Sequence, residues 1–263
     1  MLGSRPSPEW YNKSMTKANQ YDDPNFNYVD YWNGRDYENA AEELALNMLL
    51  GKRVYEKAAD VGGGFGRLAK LLRSYAKHVT VVEPSKQQRD RGKEITKSLT
   101  AVEFKDGQGD KLPFKDNELD LITMIRVMHH LPDPKPTFKE LNRVLAPDGT
   151  LILEVANSLH FKSRIKAAMK LKSVSKEPVE RRSEVNLNRE SIAFVNHHPK
   201  VVNDQLEAAG FEVEKILSVS NLRSPRLKKV MPEKAMIRIE RVLQPALAKF
   251  YFGPSIFFRV RKK

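Results

Sequence analysis

The chain has 263 residues, 40% of them hydrophobic, and no cysteine; 46 Lys and Arg stand against 33 Asp and Glu, for a formal net charge of +13. That length suits one large domain or one domain with a substantial attachment, and the missing thiols exclude disulfide staples, thiolate metal sites and a cysteine nucleophile. The opening MLGSRPSPEW holds no apolar stretch and no run approaches the roughly 18 apolar residues of a spanning helix, so the sequence reads as a soluble, cytoplasmic protein.

Residues 1–27 are polar, carry Pro6, Pro8 and Pro24, and predict a loosely held arm, with order beginning near Tyr28. Residues 36–50, DYENAAEELALNMLL, place apolar side chains at helical spacing behind acidic first turns, which predicts a helix. From residue 54 onward strands and helices alternate. Strands are expected at 54–61, 78–83, 101–105, 119–125 and 150–156, and helices at 67–75, 86–98 and 135–145, the last closed by Pro147 and Gly149. Strict alternation means βαβ units and a parallel sheet covered on both faces.

Beyond Asn157 the rhythm breaks for about forty residues rich in Lys, Arg and Ser. A helix at 200–209, a strand at 211–218, a helical stretch near 233–249 and a strand at 255–260 follow. The charge follows the same division: residues 1–156 hold 23 basic and 23 acidic side chains, residues 157–263 hold 23 and 10. The whole surplus therefore lies in the last part of the chain and points to an anionic partner such as a phosphorylated substrate, a membrane surface or nucleic acid, or to an ordinary solvated face.

The sharpest motif is AADVGGGFGRL at 58–68, where a predicted strand runs into Gly62, Gly63, Gly64 and Gly66 and then into a helix. Glycines permit positive φ and let a ligand approach the backbone, and the helix start offers unpaired N–H groups. A dinucleotide site would place a third glycine where Arg67 stands, and a Walker loop would continue Gly-Lys-Ser/Thr; neither pattern is present. Asp60 precedes the glycines and Glu83 closes the next strand. A carboxylate there suits a ribose diol and repels phosphate, so a ribose cofactor with a cationic amino-acid part fits better than NAD.

Together with DVGGGFG at 60–66, the segments VVEPS at 81–85, GDKLPFKDNELDLI at 109–122, VMHHLPDP at 127–134 and FKELNRVLAPDGTLILE at 138–154 resemble class I S-adenosylmethionine-dependent methyltransferases with a type-11 methyltransferase domain, the branch that includes quinone-biosynthesis methyltransferases. The resemblance covers about residues 50 to 156. It implies an α/β fold: a doubly wound, mostly parallel seven-stranded sheet (Rossmann-like methyltransferase fold) with a C-terminal antiparallel strand and a helical insertion. With the composition and periodicity outside that range, the expected division is a flexible arm (1–27), an S-adenosylmethionine-binding core (28–156), a basic insertion or cap (157–198) and a completion of the sheet on the substrate side (199–263).

Carried over residue by residue, Asp60, Gly62, Gly63, Gly64 and Gly66 would surround the methionine part of S-adenosyl-L-methionine, and Glu83 would take the ribose hydroxyls. Where the family has Gly-Asp-Ala beside the adenine this chain has Gly107-Gln108-Gly109, which leaves Gln108 and Gly109 for that contact and Asp106 and Asp110 as fallbacks. Arg126 would line the pocket. The segment YVDYWNGRDYE at 28–38 reads either as a lid, with Arg35 on the methionine carboxylate, or as an aromatic staple that packs the first helix.

Methyl transfer from a sulfonium mainly needs alignment and exclusion of water; a base is required only for a hydroxyl, an acidic carbon or a protonated amine. Four of the six histidines form the pairs His129-His130 and His197-His198. His130 and His198 are the candidates to face the acceptor; capping, packing and a turn before Pro199 are the plainer roles. No carboxylate or further His stands at ligand spacing, so no metal is expected.

Exocyclic amine methylation of a base relies on Asn/Asp-Pro-Pro-aromatic, where this chain has Ile125-Arg126-Val127-Met128, and carbon-5 pyrimidine methylation needs a cysteine. The expected function is therefore methyl transfer to a small or lipid-like, amphiphilic and anionic acceptor. The alternative is a basic nucleic-acid-binding or RNA-methylating protein on the same fold. Residues 159–174, LHFKSRIKAAMKLKSV, read either as an amphipathic helix for a membrane interface or as a cap over the site with Lys stems on apolar surface. The aromatic residues Phe250, Tyr251, Phe252, Phe257 and Phe258 read as core.

Overall fold

A sheet covered on both faces needs strands that are apolar without alternation, and two of the central ones show it. β1 (Tyr55–Val61) is continuously buried from Ala58, and β2 (Ala76–Val82) from Val79. The computed structural model describes Tyr21 and residues 32–188 and 192–263. The rest of the polar arm, the expected start of order at Tyr28, and Tyr31 lie outside the described residues. Helix α1 (Asp36–Leu50) leads into β1, and α2 (Ala69–Arg73), β2, α3 (Lys86–Thr96) and β3 (Val102–Lys105) build one half of the sheet. The other half starts with β4 (Leu119–Met124), a 3-10 turn at Met128–His130, α4 (Lys135–Val144) and β5 (Leu145–Ala156).

The insertion holds α5 (Phe161–Met169), a two-stranded ribbon of β6 (Val179–Glu180) and β7 (Val195–Asn196), and α6 (Glu184–Asn188) between them. After it come α7 (Pro199–Ala208), β8 (Phe211–Val219), α8 (Pro225–Val230), α9 (Glu233–Ala246) and β9 (Ser255–Lys262). The strand order is β3-β2-β1-β4-β5-β9-β8. Pairs from β3 to β5 are parallel, and β9 runs antiparallel to both β5 and β8, as the sequence predicts. No helix among the described residues is long and apolar enough to cross a membrane.

Alternate residues feed two cores. Leu121, Ile152 and Phe257 face a cluster built with Ala41, Ala45, Leu46 and Leu49 of α1 and Met236 of α9. Ile122, Leu153 and Phe258 face the other, with Phe138 and Leu141 of α4 and Val202 and Leu206 of α7. Phe257 and Phe258 are thus core as expected, while Phe250 is exposed.

Two boundaries differ from expectation. Pro147 and Gly149 do not close a helix: α4 stops at Val144, and Leu145 already pairs with Leu119, with a register shift before Leu121 that absorbs the proline. The helix expected at 67–75 is shorter, because hydrogen bonds from Gly66 N to Gly63 O and from Ala69 N to Gly66 O keep the glycine loop in turns up to Leu68. From β1 the chain first builds β2 and β3 on one side, then crosses to β4 on the other, so a crevice opens above β1 where the direction switches.

Candidate active site at the ends of β1, β2 and β4

Parallel register sets Asp60 between Val81 of β2 and Thr123 of β4, and the Thr123 hydroxyl donates to Asp60 Oδ1 at 2.8 Å. Asp60 is buried. That burial pushes its pKa up from 3.8 to about 6, against the Thr123 hydrogen bond and the Arg67 charge, which hold it down. Gly62 has φ +71°, and its N–H donates to Val82 O at 2.7 Å. A Cβ there would run into the Val127 side chain, and one at Gly63 would lie 2.6 Å from Asp60 Oδ2 and 2.7 Å from Val81 Cγ1. The loop is pressed onto Asp60 in a way that only glycine permits, and Gly64 and Gly66, at φ +56° and +77°, complete the turn. Gly62→Ala is expected to lower stability by about 1–3 kcal/mol in urea unfolding, since it adds a left-handed side chain and a clash.

Glu83 follows β2 and is buried, its carboxylate plane fixed by Gly64 N–H on Oε2 at 3.1 Å and Ser85 N–H on Oε1 at 2.9 Å. A carboxylate accepts about four hydrogen bonds, so a pair of vicinal hydroxyls matches its chemistry. Arg89 ties the end of β2 to the next loop by donating to Glu83 O at 2.6 Å and pairing with Asp106 at 2.8 Å. Gln108 and Lys111 exchange backbone hydrogen bonds of 3.2 and 2.9 Å, which forms the turn that carries Gly109 and Asp110. At Gly107 a Cβ would come within 2.8 Å of Val82 Cγ1. The predicted adenine segment therefore lies against the end of β2, beside Glu83, with Gln108 and Asp110 exposed and Gly109 half-buried.

Sequence reasoning missed the group next to the glycines. Glu42 of α1, only 1% exposed, bridges Arg67 (Nη2 to Oε2, 2.7 Å) and Arg126 (Nε to Oε1, 2.7 Å). Arg67 also donates to Asn39 Oδ1 at 2.6 Å. The Trp32 ring covers both guanidiniums, at 3.9 Å from Arg67 and 4.8 Å from Arg126. The Arg126 side chain therefore reaches α1, while its N–H, on a residue with φ +62°, donates to buried Glu154 at 3.0 Å. In the described part of the 28–38 segment, Tyr37 is core and accepts from Leu222 N at 3.0 Å. Arg35 is half-buried immediately before α1.

The histidine pairs converge. His197 Nε2 bonds Met128 O at 2.9 Å, and the rings of His129 and His130 lie 4.0 Å apart. Backbone bonds from Ser158 N to His197 O and from His197 N to Ala156 O, both 2.8 Å, seat this segment on the end of β5. Burial holds the pKa of His129 well below the usual imidazole range and lowers those of His130 and His197, so the cluster is neutral at neutral pH.

In His130, Nδ1 faces Ala193 O at 2.8 Å; a carbonyl only accepts, so Nδ1 carries the proton and Nε2 presents a lone pair to the Tyr21 hydroxyl at 3.0 Å. Tyr21 O accepts from Ser85 Oγ at 3.1 Å, so this residue spans the crevice from the end of β2 to the end of β4. Nothing in the periodicity of the arm marks Tyr21. His198 is buried with its Nδ1 unpartnered among the described residues, and burial and the charges of Lys200, Lys176 and Arg164 keep it neutral.

A doubly wound sheet with this loop, an acid at the end of β1 and a second at the end of β2 offers the crevice in which open α/β sheets hold their ligands. Residues 59–153 match the family described as methyltransferase domain. The demethylmenaquinone methyltransferase of Staphylococcus aureus is 34% identical over 146 residues, which cover 50% of this chain and 60% of that protein. The glycine/sarcosine/dimethylglycine N-methyltransferase of Actinopolyspora halophila is 28% identical over 166 residues, 55% of this chain and 29% of that one. The chain thus spans less than two thirds of the curated relatives it matches. A solved SAM-dependent methyltransferase of Thermotoga maritima shares the fold at a TM-score of 0.62 and 22% identity, covering 90% of this chain and 95% of its own.

Proposed function

We propose that the protein transfers a methyl group from S-adenosyl-L-methionine to a small or lipid-like acceptor. The observation that carries this reading is the buried Asp60 pressed against Gly63, with Glu83 held by Gly64 N–H on the next strand end. The residues fit the cofactor: Asp60 offers a carboxylate to its cationic part, Glu83 accepts from a ribose diol, and Gln108 with Gly109 lies on the adenine side. When bound, the cofactor supplies an electrophilic methyl on a sulfonium. Arg126 and Arg35 are the candidates for its carboxylate. His130 Nε2 is a lone pair available for an acceptor proton once the Tyr21 hydroxyl gives way, and His198 Nδ1 is the second candidate. Relatives that include a demethylmenaquinone and a cycloartenol methyltransferase support a lipid-like acceptor.

Calorimetry with S-adenosylhomocysteine, followed by labelled methyl transfer into a cell extract, tests the reading; absence of binding at millimolar ligand overturns it. The pH dependence is a sharper check. A cationic ligand favours ionised Asp60, so affinity is constant above pH about 6 and falls about tenfold per pH unit below it, with proton uptake by the free site. Asp60→Asn is expected to weaken binding and flatten this profile. In the free fold the sign is reversed: the native carboxyl holds its proton more tightly than the unfolded one, so its contribution to stability declines as pH rises from 3.8 to about 6.

A further inference from the structure

The apolar side of α5 is largely bare among the described residues, with Phe161 alone stacked on another ring, that of Phe252. Phe161, Ile165 and Met169 recur every fourth residue and are 47, 45 and 81% exposed, and Leu171 just past the helix is 97% exposed. No residue of α5 is buried, whereas α7, one residue longer, sinks Val202 and Leu206 into the core. Single apolar side chains in water are ordinary; a contiguous stripe marks a contact surface.

The helix is nonetheless anchored. Phe161 N–H donates to Phe252 O at 3.0 Å, the two rings stack at 4.8 Å, and Arg164 donates to Leu159 O at 2.9 Å and to Phe250 O. The stripe is therefore held outward by fixed contacts.

Charge says what covers it. Residues 157–176 contain Lys162, Arg164, Lys166, Lys170, Lys172 and Lys176, and no Asp or Glu. At 3.6 residues per turn, Lys162 and Lys166 border the stripe on one side and Arg164 on the other.

We propose that α5 is a docking helix for an anionic bilayer surface, with Phe161, Ile165, Met169 and Leu171 entering the boundary between headgroups and acyl chains and the cations resting on lipid phosphates. A uniformly cationic border with no acid in it is complementary to such a surface and repels a second copy of itself. The helix begins only a few residues beyond the end of β5, the end of the sheet at which the crevice opens. The surface is independent of the methyl-transfer reading, because it uses none of the cofactor residues.

Co-sedimentation of the full chain with vesicles tests it, comparing pure phosphatidylcholine with vesicles that contain about one third phosphatidylglycerol. Binding is expected to the anionic vesicles only and to weaken as salt rises from about 0.1 to about 0.5 M. Ile165→Glu with Met169→Glu is expected to lower it at least about tenfold with the fold retained in thermal unfolding, since Met169 is 81% and Ile165 45% exposed. Lys162→Gln and Lys166→Gln should cost about fivefold each. Absence of co-sedimentation, equal binding to neutral vesicles, or undiminished binding by the double Glu variant overturns the proposal. So does a dimer that the double Glu variant dissolves, or binding to RNA in place of vesicles.

Discussion

Glu83→Ala is expected to weaken S-adenosylhomocysteine binding by about two to four powers of ten. The carboxylate can take two charge-assisted hydrogen bonds from a ribose diol, each about 1.5–3 kcal/mol, and alanine removes both. The substitution also strips the Gly64 and Ser85 N–H groups of their acceptors, which costs stability and loosens the loop on the Asp60 side. Glu83→Gln separates the two effects. Its single amide oxygen keeps one backbone partner, so the fold is preserved better than the affinity. Calorimetry alongside urea unfolding reads both; Glu83→Ala that binds as tightly as the unaltered protein removes Glu83 from the cofactor site.

The second large effect is expected from Glu42→Ala. Glu42 is enclosed with the guanidiniums of Arg67 and Arg126, which are themselves about six-sevenths buried, beneath Trp32. Alanine leaves two like charges side by side with no counter-ion between them, and loss of one partner from a buried pair costs about 3–5 kcal/mol. A fall of that size in urea unfolding is the expected result. A second readout distinguishes this from general damage. With Glu42 gone, the uncompensated Arg67 charge pulls harder on Asp60, so the pH midpoint of cofactor binding should move below about 6. Glu42→Gln, of equal size, should shift the midpoint the same way at a smaller cost in stability. A variant with unchanged stability would show that the two arginines are solvated in the free protein.

What sequence reasoning captured and what it missed divide along the range of the interactions. The parallel sheet and the glycine loop follow from apolar runs and from the chemistry of adjacent residues, and residues 58–68 carry their own explanation. The Glu42 bridge joins positions 25 and 84 residues apart, and Arg67 drew notice only because it stood where another fold would place glycine. The environment of His130 depends on Ala193, 63 residues on, and on Tyr21, 109 residues back, so its protonation state was illegible until the chain was folded. The stripe on α5 has the same spacing whether it is buried or bare; only the position of the helix decides.

The insertion that carries α5 leaves the sheet at Ala156 and returns at His197, where two backbone hydrogen bonds of 2.8 Å close its ends onto each other. A segment pinned at its base in this way is a removable excursion. Closure entropy grows only with the logarithm of length, about 0.6 kcal/mol for each doubling, so forty residues can be lengthened, trimmed or exchanged at little expense to the sheet beneath. The proposed docking helix resides in that excursion, and the glycine loop in the frame. The two can therefore diverge at separate rates, one free to explore while the other is held fixed by Asp60, Glu83 and the glycines between them.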